Sequence, residues 1–321
     1  MAGNLAIVLS GGGAKGAFQA GVLDALITDR KVSFDIAVGT STGAIQATAV
    51  AQDDIPRLVQ FWKDIKKSDD IYRKRGGTLL SILSGQPSLY SVAPLKALLR
   101  QTIDEQKIRA SGKRLRIALV NLTNGELKMV GENATNLAEW VYASCAMPFV
   151  FPPQDSRDAH GNDEQWVDGG VRDVTPLDAA LRERPQAVLV VRASAPPGPK
   201  APKKYNSLVS IGLRAVDILS NEVSNNDLKN VSLINQLLAA RDRQRLDLRG
   251  LNLTEAQIEK MMRPVESAIA HYNLVPVTVI EPARNLYETL DFTPQLIEQA
   301  MDMGRKYVAD NWLDLKQFLR V

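Results

Sequence analysis

At 321 residues, 45% of them hydrophobic and 23% charged, the chain has an ordinary globular composition and enough length to bury a large core. A net charge of only +3 gives no whole-chain case for nucleic acid. The lone cysteine, Cys145, excludes an intramolecular disulfide and a cysteine-built metal site; its apolar surroundings, SCAMPFVFPP, predict a buried, inert thiol. The first residues, MAGNLAIVLSGGG, lack the basic start and long apolar run of a secretory signal. No stretch approaches the ~20 apolar residues of a membrane span. The expectation is a cytoplasmic protein.

In chain order, LAIVLS reads as a buried strand, GGGAKG as a turn, and AFQAGVLDALITD as a helix with Phe18, Val22, Leu23 and Leu26 on its apolar side. FDIAVGTS repeats the strand and TGAIQATAVAQ begins a helix of small residues. Apolar strands feeding helices predict a parallel sheet covered on both faces. A basic stretch, KKSDDIYRKRGG, leads into apolar TLLSILSGQPSLY, then a helix at APLKALLRQTI. RLRIALVNLTNGELKMVGE predicts a hairpin closed by a type I′ turn at Asn124-Gly125. A helix at LAEWVYASCA, a loop at FPPQDSRDAHGNDEQ and a strand at QWVDGG follow. Thr175-Pro176 is expected to cap a helix, and AVLVVRAS is another buried strand. The proline-rich APPGPKAPKK divides residues 1–194 from 205–321 as a linker over 195–204. Beyond it residues 205–271 read as helical, with a Thr-Glu capping pattern in LTEAQIEKMM. VPVTVIEP returns as a strand and TPQLIEQAMDMGRKYV as a last helix.

Two strand-to-helix junctions carry chemistry. Gly39-Thr40-Ser41-Thr42-Gly43 fits G-x-S-x-G: flanking glycines permit a sharp turn that raises the serine hydroxyl above the sheet. The helix start beside it favours developing negative charge. Gly11, Gly12 and Gly13, followed by Ala14, Lys15 and Gly16, expose consecutive amides such as a tetrahedral oxyanion needs. Gly11, Gly13 and Gly16 also satisfy the dinucleotide pattern G-x-G-x-x-G. That reading wants an acid at the end of the second strand, where this chain has Gly-Thr-Ser. A serine nucleophile needs a base. Of the two histidines, His160 lies in a polar loop and His271 ends a helix. His271 gives the order Ser…Asp…His of a triad esterase or thioesterase, but the elbow follows only two strands. The other candidate is Asp168, in Asp168-Gly169-Gly170 at a strand end, whose ordinary pKa of ~3.9 would have to rise by burial.

GGGAKG, GTSTG one helix later and DGG downstream together resemble the patatin-like phospholipase family, as do ASCAMPFVFPP and the NLTNGEL hairpin. The resemblance covers roughly residues 5–192. It implies an α/β, three-layer patatin-like fold with a central, mainly parallel sheet and an appended helical C-terminal region. It implies a lipid acyl hydrolase working by a Ser-Asp dyad without cofactor or metal. Ser41 would be nucleophile, Asp168 base, and Gly11, Gly12 and Gly13 the oxyanion hole. Lys15, Gly16, Gly39, Gly43, Gly169 and Gly170 would be supporting positions. The sequence after DGG, VRDVTPL, departs from the family's asparagine-rich pattern. The expected substrate is a phospholipid or lysophospholipid. Lys66, Lys67, Arg73, Lys74 and Arg75, flanking TLLSILSGQPSLY, suit peripheral contact with an anionic membrane or equally a solvated loop. A nucleotide-binding module and a patatin fold kept for regulation are the readings from other classes.

Overall fold

The computed structural model describes residues 4–74, 88–196, 204–206, 208–251, 253–270 and 274–321. His271, Arg75, the apolar run after it up to Pro87, and most of the proline-rich linker lie outside the described residues.

The core is a sheet with helices on both faces. Strands β1 (Leu5–Leu9), β2 (Ile36–Thr40), β5 (Arg114–Asn121), β9 (Ala187–Val191) and β10 (Val277–Ile280) run parallel in the order β10-β9-β1-β2-β5. Their side chains alternate between two apolar layers, as a period of two requires. Leu5, Ile7 and Leu9 of β1 enter the larger cluster, with Leu189 and Val191 of β9. Ala6 and Val8 enter the smaller one on the opposite face, with Val188 and Val190. Helices α1 (Ala17–Leu23, continued by a wider π-helical turn to Asp29), α2 (Thr42–Ala51) and α3 (Ile55–Asp64) belong to the larger layer. The short helix Leu177–Arg182 covers the other face.

The sheet continues beyond β5 in antiparallel sense. Strands β6 (Leu127–Gly131) and β8 (Asp163–Asp168) both pair with β5, and β7 (Gln154–Arg157) pairs with β8. The stretch read as a loop is therefore largely a β7–β8 hairpin with an exposed His160 at its turn. Its polar, alternately exposed residues carry no apolar strand signal. The β5–β6 hairpin exists, but only Gly125 of its turn has positive φ, 72°. The Asn121 side chain folds back to accept the Thr123 amide at 2.8 Å and the β5 end is claimed by β8, so the loop is longer than a type I′ turn. Thr175 does not cap the following helix. Its hydroxyl bonds Ser224 at 2.7 Å and the helix starts one residue after Pro176.

Arg73 and Lys74 form a two-residue strand, β3, against β4 (Tyr90–Ser91), with both basic residues exposed. Helices Ala93–Thr102 and Glu105–Ala110 lead to β5, and Leu137–Cys145 leads to β7. After the linker comes a long helix, Leu208–Gly250, hereafter the roof helix. Helix Glu255–Ile269 follows, capped reciprocally by Thr254 and Gln257 rather than the expected glutamate, which sits at the first helical position. Helices Pro294–Asp310 and Trp312–Leu319 close the chain.

Candidate active site

Strand register brings Ser41 and Asp168 together. Residues 116–118 of β5 pair with β2 on one edge and β6 on the other; residues 119 and 120 pair with β6 and with β8. β8 therefore lies on the edge that β2 has just left. The last residue of β2, Thr40, is opposite Ala118, and the last residue of β8, Asp168, is opposite Leu119. Two strands running in opposite directions end head to head, and the residue after one meets the last residue of the other.

Ser41 occupies φ 57° and ψ −127°, a sparsely populated conformation for a residue with a side chain. Its amide donates to Ser144 Oγ at 2.9 Å, and Ser144 Oγ donates to the Ala118 carbonyl at 2.6 Å. Ser144 is fully buried and bolts the turn to β5. The turn is also tight: a Cβ on Gly43 would lie 2.0 Å from the Leu9 carbonyl oxygen, and one on Gly39 2.1 Å from that of Gly43. The Ser41 side chain lies near enough to the Asp168 carboxylate to act on its proton affinity. Burial pushes the Asp168 carboxyl up to about 6, while hydrogen bonds from the Gly170 amide, at 2.7 Å, and from Ser41 pull it down. Gly169 packs against the Ala118 carbonyl at a distance no Cβ would allow.

The glycine turn lies beside Ser41: a Cβ on Gly11 would sit 3.3 Å from that of Ser41. The Gly11 amide departs from the oxyanion-hole expectation, because it already donates to the Val174 carbonyl at 3.0 Å. The Gly12 and Gly13 amides donate to no group among the described residues. Gly13 has φ 57°, and the Ala14 amide after it donates to the Thr289 carbonyl at 2.8 Å. Tyr287 Oη donates to the Ala14 carbonyl at 2.9 Å, so a late segment latches this turn from outside. Gly16 lies against Thr42 at the start of α2. Lys15 is buried, and its Nζ donates to Asp217 of the roof helix at 3.1 Å.

Ser41 and Asp168 line a cavity of about 410 Å³ together with Gly11, Gly12 and Gly170. The roof helix closes one side with Val216, Leu219, Ser220 and Val223, and the Met147-Pro148-Phe149 turn lies on another. Besides the Lys15–Asp217 pair, two further side-chain clusters dock that helix. Arg192, at the end of β9, donates to Asn225 at 3.0 Å and to Glu281 at 2.9 Å. Asp227 accepts the Thr175 amide at 3.1 Å and hydrogen-bonds Asp173, whose main-chain carbonyl accepts from Thr40 Oγ1 at 2.9 Å. Burial holds both carboxyls above the ordinary range, most strongly Asp173, where the neighbouring Asp227 adds to the rise; hydrogen bonds from the Thr175 amide and from Asp173 pull Asp227 part of the way back. Burial likewise pushes the Cys145 thiol well up, with the Asp168 charge adding to it.

Sequence reasoning missed Ser144, Asp173, Asp217, Asp227, Tyr287 and Thr289. Ser144 lay inside a block already noted; the others are ordinary polar residues whose meaning is visible only in three dimensions.

An elbow serine facing a buried carboxylate, at the carboxyl ends of a three-layer sheet, defines a class. The chain belongs to the patatin-like phospholipase family, whose family model matches residues 7–181, more than half its length. It is similar to the uncharacterized protein YjjU of Escherichia coli (strain K12), 27% identical over 194 residues. That alignment covers 59% of this chain and 52% of YjjU, so the chain spans about half the length of this relative. Among solved structures it is similar to VipD from Legionella pneumophila, at 17% identity and a TM-score of 0.43, over 97% of this chain and 66% of VipD. Membership makes this a protein of a lipid hydrolase family. Among the described residues no helix is long and apolar enough to cross a membrane.

Proposed function

We propose that the protein hydrolyses fatty-acyl esters of phospholipids or lysophospholipids through an acyl-serine intermediate. The observation that carries this reading is the meeting of Ser41, on its strained elbow, with the buried carboxylate of Asp168 at one cavity wall, set by the register of β2 and β8 along β5. Ser41 Oγ attacks the ester carbonyl carbon while its proton passes to Asp168. The carbonyl becomes an oxyanion beside the Gly12 and Gly13 amides and the start of α2, where fixed donors stabilise developing charge. Collapse breaks the bond to the alcohol oxygen, which leaves with the proton from Asp168. A water then gives its proton to Asp168 and attacks the acyl carbon, and the second collapse returns the proton to Ser41 and frees the fatty acid. One carboxylate serves both halves. Burial supports this by bringing its affinity for a proton nearer to neutrality.

Fatty-acid release from mixed phosphatidylcholine and lysophosphatidylcholine vesicles tests the reading. Ser41→Ala and Asp168→Asn should each lower release by at least about 10³-fold, since residues acting as a unit fail together. Release by Ser41→Ala equal to the parent's would remove Ser41 from the mechanism. Loss of turnover on replacing His271 with Ala would favour a triad instead.

A further inference from the structure

The mouth of the cavity carries three apolar side chains that folding leaves in water. Phe149 is 78% exposed, Leu219 65% and Val171 51%, and all three line the cavity that holds Ser41 and Asp168. They come from three separate elements: the turn before β7, the roof helix, and the turn after Asp168. Phe149 also has φ 68°, in the left-handed region that a bulky residue adopts at a cost and glycine adopts freely. Its carbonyl accepts the Leu89 amide at 3.1 Å, which helps to hold the turn. A strained backbone presenting an unburied aromatic ring is the kind of outlier from which function is inferred.

We propose that Phe149, Val171 and Leu219 form a docking rim that inserts into a lipid surface and sets the cavity mouth against it. The choice of partner rests on the lipid-hydrolase reading above. It is favoured by the cavity's size: about 410 Å³ is near the small end of ligand pockets, about 300–1,000 Å³. One acyl chain fits such a space far better than a whole two-chain lipid, so the remainder stays in the aggregate it came from. Charge also fits. Arg172 is exposed next to Val171 and donates to the Gly125 carbonyl at 2.6 Å, tying the rim to the loop that carries exposed Leu122. A cation beside apolar anchors suits an anionic headgroup layer.

Binding is measured without turnover, in the Ser41→Ala protein, so a wrong catalytic assignment and a wrong docking assignment give different results. Phosphatidylcholine–phosphatidylglycerol vesicles are floated with the parent and with Phe149→Gly plus Leu219→Ser. The glycine keeps the left-handed turn, and moving an apolar side chain into hydrocarbon is worth about tenfold or more in affinity, so co-flotation should weaken at least about tenfold. An environment-sensitive fluorophore on Phe149→Cys should shift to the blue on adding vesicles, while one on Lys316→Cys in the last helix should not; the buried Cys145 thiol stays unlabelled. Unchanged flotation, or equal behaviour of the two probes, overturns the proposal. Loss of a dimer by light scattering with vesicle binding intact overturns it in favour of a second copy of the chain.

Discussion

Ser41 is held where a serine does not settle by itself. A backbone conformation of this kind costs of order 1–3 kcal/mol, and the surroundings must over-determine it. Ser144 supplies one restraint by accepting from the Ser41 amide and donating to β5. Ser144→Ala would leave a buried amide and a buried carbonyl unpaired, at about 1–3 kcal/mol of stability. We expect kcat to fall with KM little changed, and Ser144→Thr to recover part of the loss; steady-state kinetics beside denaturant melts check this. Asp168 gives a pH prediction of definite sign. It acts as a base only when ionised, and burial has raised its pKa to about 6. The kcat/KM of a non-titrating ester should therefore be flat above this value and fall as pH drops through it. A profile that falls only in the ordinary carboxylate range, near ~4, would contradict the assignment.

At the scale of elements, the roof helix meets the site loop through two acids. The Asp173–Asp227 pair binds more protons folded than unfolded, because both folded values lie above the ordinary range. Stability carried by such a pair is present at low pH and lost as pH rises through the raised values. The melting temperature is expected to decline between about pH 4 and about pH 8, and Asp227→Asn to flatten the decline, as scanning calorimetry would read. Both strand-to-helix junctions were legible in the sequence because each is local: an apolar run, small residues, then a helix. That Asp168 is a candidate base was legible from its place at a strand end and from the poor standing of both histidines, and the family resemblance pointed to the same residue; how it would meet Ser41 was not, since the meeting depends on where β8 pairs along β5. The β7 strand was illegible for a different reason, because an edge strand of Gln154, Asp155, Ser156 and Arg157 has no apolar alternation. The spent Gly11 amide was equally hidden, because its partner, Val174, lies far along the chain.

At the scale of the molecule, the residues after the linker belong to the same sheet. β10 extends it beside β9, Tyr287 and Thr289 hold the glycine turn, and the helix Pro294–Asp310 lies against α1. The two helices touch backbone to backbone: a Cβ on Gly21 would lie 1.9 Å from the Met301 carbonyl oxygen, and one on Gly304 2.3 Å from that of Phe18. Gly21→Ala must push them apart, and overpacking of this sort costs about 1–3 kcal/mol or more. A lower denaturation midpoint would show it, and activity should fall with it if the late segment is displaced from the glycine turn. The succession of parallel strands was readable from their buried runs. The return of the last one to the edge next to β9 was not, because Val277–Ile280 carries no mark of its neighbour.

The head-to-head ending of β2 and β8 along one edge of β5 makes the spacing of Ser41 and Asp168 a matter of one strand's repeat rather than of the 126 residues between them. Evolution is then free to lengthen or replace most of that interval, as at the exposed turn around His160 or the loop before Leu127, without disturbing the pair. A single residue inserted between Ala118 and Leu119 would do what such a long insertion does not: it would move one partner a full step along the ladder and turn alternate side chains to the wrong face.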